Sequence, residues 1–146
     1  MSIIISNNGE KAVRIEKSSM GSEKRLQQYI YDNPESIPLY EIKEDIQLLI
    51  LAREFGTNSG PIDALGIDAY GGIYIIETKL FNNADKRKVI AQALDYGAAL
   101  WKHANDFSDF TTTLDEHARS KFSQSLQERI ASFFTLSEEE VDEVLV

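Results

Sequence analysis

The chain contains no cysteine. Disulfides, cysteine-ligated zinc and thiol nucleophiles are therefore excluded. No run of about 18 apolar residues occurs, so no membrane-spanning helix is expected. The opening stretch MSIIISNNGEK has neither a basic region nor a long apolar segment, which argues against a secretion signal. These absences together lead to the expectation of a cytoplasmic protein with no membrane partner. Histidine is also scarce, with two residues. Neither His103 nor His117 has a partner at metal-ligand spacing, so both are expected at the surface. Positive charge is short as well: 15 Lys or Arg stand against 24 Asp or Glu, a net charge of −9. Such a balance argues at first against a nucleic-acid partner. The deficit is uneven, however. Residues 1–105 carry 12 basic and 14 acidic side chains, whereas residues 106–146 carry 3 and 10. The acidity belongs mainly to the C-terminal part, above all SEEEVDE. The rest is near neutral and holds the basic run DKRK plus Arg53, Lys79 and Lys102, so a phosphate-facing surface has material there.

What is present fits one globular domain. The 146 residues suffice for a real core, and 42% hydrophobic content is ordinary. Three parts are expected: an N-terminal hairpin and connector (1–19), an α/β core (20–105) and an acidic helical extension of the same domain (106–146). Asn8-Gly9 between two β-prone runs signals the hairpin turn. Ser22 suits the N-cap of a helix running to about residue 32, ended by Asn33-Pro34. The second half of EDIQLLILAREF reads as a strand and GTNSGP as a loop. IDALGIDAY and GIYIIETKL read as two further strands, joined through Tyr70-Gly71-Gly72 as antiparallel neighbours. A helix from about 85 to 104 carries Val89, Gln92, Ala93, Tyr96 and Leu100 on one stripe. LDEHARSKFSQSLQERIASFF reads as one amphipathic helix. A last helix begins at the capping box Ser137/Glu140, with Leu136 and Val141 as its hydrophobic staple.

The stretch GIYIIETKL poses the functional question. Residues two apart on a strand face one side, so Glu77 and Lys79 project together. The third strand is apolar on both faces up to Glu77, which predicts burial on both sides and requires partners for those charges. The hairpin folds Asp63 back to within a residue or two of Glu77. Two carboxylates and one ammonium then converge where two strands end. Metal-assisted phosphodiester hydrolysis uses such a set. Carboxylates hold a hard cation such as Mg2+, which lowers the pKa of bound water and takes phosphate oxygens. A lysine beside it orients or helps deprotonate the water, or stabilises the transition state. The alternative is a surface salt bridge, worth about 0–1 kcal/mol.

Asp63 followed by Glu77-Thr78-Lys79 resembles the D…(D/E)-x-K signature of the PD-(D/E)XK nuclease superfamily. The helix–strand–strand–strand–helix order is similar to that superfamily's core. GPIDALGIDAYGGIYIIETKL and RKVIAQALDYGAALW resemble the hairpin and following helix of a bacterial branch of predicted nucleases. The resemblance covers roughly residues 20–104. It implies a restriction-endonuclease-like fold, three layers with a mixed central sheet flanked by helices, here with extra C-terminal helices. It implies a Mg2+- or Mn2+-dependent endonuclease acting on DNA. By position, Asp63 and Glu77 resemble the metal carboxylates, the Thr78 carbonyl a further ligand and Lys79 the catalytic lysine. Gln92 resembles the glutamine that positions the lysine or the DNA backbone, and Glu23 the acid of the first helix that assists a metal. Arg53, Lys86, Arg87 and Lys88 are candidate nucleic-acid contacts.

The chain departs from that pattern in two places. The usual proline before the first acid is displaced, as Pro61-Ile62-Asp63. The fourth core strand has only DFSDFTTTL (106–114) to supply it, a poor strand sequence. Either the chain is the N-terminal part of a longer protein, or a homodimer completes the sheet through its open edge. Glu23 also suits the dipole of its helix. Tyr96 is a neighbour of the site or a core tyrosine. Trp101 is expected in the core, and Asp68 is expected to shape its turn. Two other readings stand beside the nuclease: a non-catalytic nucleic-acid-binding module of the same fold, and a protein-interaction domain using the acidic tail.

Overall fold

A computed structural model of the chain describes residues 3–5, 11–15, 19–80, 85–103 and 107–145. β1 (Ile3–Ile5) and β2 (Val13–Ile15) pair antiparallel, Ile3 opposite Ile15. The expected hairpin is therefore present, while its turn at Asn8-Gly9 lies outside the described residues. α1 spans Glu23–Asp32. Ser22 caps it, its side chain accepting from the Arg25 amide at 3.3 Å. Asn33 closes it, and Pro34, which cannot donate to a further turn, opens a short 3-10 segment.

β3 (Leu49–Thr57), β4 (Gly60–Ile67) and β5 (Ile73–Ile76) form one antiparallel sheet in that order. The predicted loop GTNSGP is shorter than expected. Gly56 and Thr57 still pair, with Pro61 and Gly60, leaving Asn58-Ser59 as a two-residue turn. The Thr57 hydroxyl donates to the Gly60 carbonyl at 2.6 Å and accepts from the Ser59 amide, which keeps the hairpin tight. The β4–β5 connection is organised by Asp68, as expected. Its buried carboxylate accepts from the amides of Tyr70 and Gly72 and from the Tyr74 hydroxyl, all within 2.9 Å. Gly71 sits at φ +83°, and a Cβ there would lie 2.6 Å from the Val144 carbonyl. That turn thus needs glycine both for its backbone and for the close approach of the chain's last helix.

The rest is helical: α2 (Lys86–His103), α3 (Phe107–Phe122), α4 (Leu126–Phe134) and α5 (Glu138–Val144). Two expectations are corrected here. Residues 107–114 are not a fourth strand but the first half of α3, and among the described residues the second sheet holds three strands, all antiparallel. The long amphipathic helix is two helices. The chain breaks at Ser123, in the left-handed region at φ +57°. Ser125 then starts α4 with a complete capping box: its side chain accepts from the Glu128 amide, and the Glu128 carboxylate accepts from the Ser125 amide. Serine competes for backbone bonds in a helix interior and favours its start, so SQS divides what hydrophobic spacing alone joins. The capping box predicted at Ser137 and Glu140 is present, and Leu136 packs on the cluster holding Val141.

Both faces of the three-stranded sheet are covered. Leu49, Leu51, Leu65 and Ile67 join Tyr96 of α2, Leu114 of α3, Leu126 and Ile130 of α4 and Val141 of α5. Leu48, Ile50 and Ala64 pack with Leu39, and Tyr31 of α1 lies against them. The alternation along β3 and β4 assigns neighbouring residues to opposite faces. Tyr96 is thereby a core tyrosine, 6% exposed. Two readings fail. β5 is an edge strand whose residues are half-buried or exposed, not a strand buried on both sides. Trp101 is 79% exposed, on the same outer stripe of α2 as Ile90 and Leu94. None of the helices among the described residues is long and apolar enough to cross a membrane.

Candidate functional site

The site is built where β4 begins and β5 ends, beneath the first turns of α1. The register pairs Ala64 with Ile76, so Asp63 and Glu77 are the next residues out on the two strands. Regular pairing stops at Ile76, yet the chain stays anchored. Oδ2 of Asp63 accepts from the amide and the hydroxyl of Thr78, both at 2.8 Å, and Thr78 is buried. Oδ1 accepts from Nε2 of Gln27 on α1 at 2.8 Å. Asp63 thus fastens the end of β5 and the middle of α1 to β4. Across the hairpin, Glu54 lies between the pairs Arg53–Ala64 and Phe55–Ile62, opposite Asp63. Its φ of +49° is left-handed, a conformation costing a non-glycine residue about 1–2 kcal/mol. The strained point of β3 is therefore beside the site.

Glu77 and Lys79 form an ion pair, Nζ to Oε1 at 3.1 Å. The Glu77 side chain is 4% exposed and that of Lys79 25%. Glu23 approaches the same ammonium with Oε2 at 3.7 Å, and its Oε1 accepts from the Leu80 amide at 3.5 Å. The hydrogen bond from Lys79 to Glu77 holds the ammonium above its ordinary pKa; burial opposes this, and the charges of Glu77, Glu23 and Asp63 add to it. The other oxygen of Glu77, Oε2, is buried and has no partner. Neither does Oε1 of Gln92 on α2, which is also buried. A buried acceptor left unpaired carries its full desolvation penalty, about 1–3 kcal/mol and more when charged. Next to these groups lies an open cleft of about 250 Å³, lined by Glu23, Lys79, Asp85, Lys88, Val89 and Gln92.

The structure therefore brings together Asp63, Thr78, Glu77, Lys79 and Glu23, with Gln92 and Lys88 on the cleft wall. It does not bring Arg53 there; that side chain stands farther along α1, bonded to Gln28. Lys86 and Arg87 are exposed on the first turn of α2, outside the cleft lining. Sequence reasoning missed Gln27. Its signal was available, because Glu23 and Gln27 are four apart and so share one helix face.

A hard divalent cation would find oxygen donors here: the carboxylates of Glu77 and Asp63 and the Thr78 carbonyl. The unpaired Oε2 of Glu77 fits such a cation in kind. In number the set is small. Among the described residues no group of three or more His, Asp or Glu side chains is placed to hold a metal. Waters and phosphate oxygens would have to complete the coordination, as Mg2+ ordinarily requires. Asp63 accepts three hydrogen bonds, and a carboxylate offers about four lone-pair sites. No protein-family model matches the chain, and neither does any curated protein or solved structure.

Proposed function

We propose that the chain is a metal-dependent nuclease, an endonuclease hydrolysing phosphodiester bonds of DNA, on a core of the restriction-endonuclease-like kind. The observation that carries this reading is Oε2 of Glu77: a carboxylate oxygen buried without a protein partner, on a side chain ion-paired to Lys79, which itself lines an open cleft. A buried carboxylate oxygen without a protein partner calls for a bound cation or water to satisfy it. The metal, Mg2+ or Mn2+, would lower the pKa of a bound water and offset negative charge on the scissile phosphate. Glu77 and Asp63 are the residues that would hold it, with the Thr78 carbonyl. Lys79 faces the cleft and supplies positive charge to the phosphate as negative charge grows on it. Gln92 lines the same cleft and would orient the phosphate or Lys79. Glu23 holds Lys79 from the other side and ties Leu80 to α1.

Cleavage of supercoiled and linear DNA in Mg2+ or Mn2+ tests this reading. Lys79→Ala is expected to reduce the rate about 10²–10³-fold, the usual effect of removing one preorganised charge or donor from a transition state. Cleavage unaffected by Lys79→Ala, or absent from the native chain in both metals, would sink it. A second reading has one observation of its own. Asp63 is so fully engaged with Thr78 and Gln27 that it serves as a clamp, which suits a non-catalytic nucleic-acid-binding or protein-interaction module on the same frame. Salt-sensitive DNA binding without cleavage would favour it.

A further inference from the structure

Away from the cleft, where α1, β3, α3 and α4 meet, positive side chains crowd around two aromatic rings. Tyr31 of α1 stacks on Phe122 of α3, centroids 6.3 Å apart at 20°. The Arg53 guanidinium lies 5.4 Å from the Tyr31 centroid and the Lys121 ammonium 4.8 Å from it. The Arg129 guanidinium lies 3.5 Å from the Phe122 centroid. One Nη of Arg129 donates to the Ile50 carbonyl at 3.4 Å, fixing the group over the β3 edge.

These cations lack counter-charges. Among the described residues no carboxylate is within ion-pair distance of Arg53, Lys121 or Arg129. The nearby Asp32 takes the amide of Gln28 on both oxygens, and Arg53 meets only the amide oxygen of that glutamine. In a chain of net charge −9, an unpaired basic cluster is not a by-product of composition. Four of its polar atoms are also buried and unpartnered: Nε of Arg53, Nε of Arg129, the Tyr31 hydroxyl and Nε2 of His117. Arginine Nε only donates. Burial lowers the pKa of Arg129, and burial together with Lys121 and Arg129 lowers that of His117.

We propose that Arg53, Lys121 and Arg129 form a binding site for a phosphate group. Each guanidinium spends one Nη within the fold, on Gln28 or Ile50, and stacking on an aromatic face leaves its other N–H groups for an oxyanion; two such groups with an ammonium match a multiply charged tetrahedral anion better than a single carboxylate. Tyr31 adds a hydroxyl donor at its border. The site is separate from the cleft. Glu23 and Tyr31 are eight residues apart on α1, roughly 12 Å at about 1.5 Å per residue. The phosphate comes either from a nucleic-acid backbone or from a small phosphorylated molecule, and the proposal does not depend on the nuclease reading.

Calorimetry in EDTA tests it, since no divalent metal then contributes. Inorganic phosphate and a short single-stranded oligonucleotide are titrated into the native chain, Lys121→Gln and Arg129→Gln. Binding is expected in the native chain, weakened about threefold in Lys121→Gln and at least tenfold in Arg129→Gln. Lys121 is exposed, so its variant reports even if Arg129→Gln does not fold. An oligonucleotide binding more than tenfold tighter than phosphate identifies a backbone as the source; equal affinity identifies a small phosphorylated ligand. No binding of either probe to the native chain, or equal binding in native and Lys121→Gln protein, overturns the proposal and leaves the cluster as cation–π packing.

Discussion

Two regions towards opposite ends of α1 differ in what they are missing. Beside β5, the unpartnered buried atoms are oxygens of Glu77 and Gln92. Around Tyr31 they are nitrogens of Arg53, Arg129 and His117, with the Tyr31 hydroxyl. These six atoms are all the buried, unpartnered side-chain N and O atoms among the described residues. One region lacks a cation or donor; the other lacks an anion or acceptor. The contrast with the C-terminal helices is instructive. There Glu128 and Glu140 complete capping boxes, and Asp115 accepts from the Leu126 amide at 2.8 Å and from Arg119 at 2.6 Å. Polar groups that serve only the fold are paired within it. Those at the two regions are not, and both proposals rest on that difference.

The comparison assumes that one core holds both regions in place. Ile130 is fully buried in the cluster that joins α4 to the sheet. Ile130→Ala is therefore expected to cost about 2–5 kcal/mol in chemical denaturation. A cost under about 1 kcal/mol would mean that the C-terminal helices fold apart from the sheet, and the shared frame would be lost. A smaller effect sharpens the claim that the satisfied polar groups are structural. Ser125→Ala removes one half of a capping box and should cost about 0.5–2 kcal/mol, with no change in any cleavage rate.

The smallest effect is in pH. Asp115 is held below its ordinary pKa by the Leu126 amide and then by Arg119; Glu128 and Glu140 are held low by bonds from Ser125 and Ser137. A depressed carboxylate pKa means that the unfolded chain binds the proton more readily. The stability from these groups is present above about pH 4.5 and is lost as pH falls through their lowered folded values. His117 behaves alike at higher pH. Its pKa is depressed, so its contribution is present above about pH 6.5 and declines below it. Melting temperature is expected to fall gently between about pH 6.5 and 5, then more steeply below about 4.5. A flat profile down to pH 4 would contradict the environment assigned to His117.

Much of the frame was legible in the residues. Gly71 and Asp68 announced the β4–β5 turn, and that turn set the register bringing Asp63 to Glu77. Serine caps announced α1 and α5. The misses share a cause: local pattern was read without its tertiary partner. DFSDFTTTL is a poor strand sequence, considered only because the family pattern wants a fourth strand; Leu114 and Ala118 four apart are both buried as one face of α3. Ile73 to Ile76 looked doubly buried, yet strand order leaves β5 at the edge. Trp101, expected in the core, is exposed on the outer stripe of α2. The cluster around Tyr31 was not visible either, except for Arg53, because its members come from four separate elements. His117 was read as a surface residue and is instead half-buried, with its Nε2 enclosed among cations. The side chain of His103 lies outside the described residues.

The central claim is that the unpaired oxygen of Glu77 awaits a metal. Titration of Mn2+ and Mg2+ by calorimetry, comparing the native chain with Glu77→Gln, tests it most directly, because glutamine keeps the shape while removing the charge. The account predicts binding to the native chain and its loss in Glu77→Gln, with melting temperature in EDTA little changed. Equal binding by both proteins, or none by the native chain with or without a DNA duplex, would contradict it.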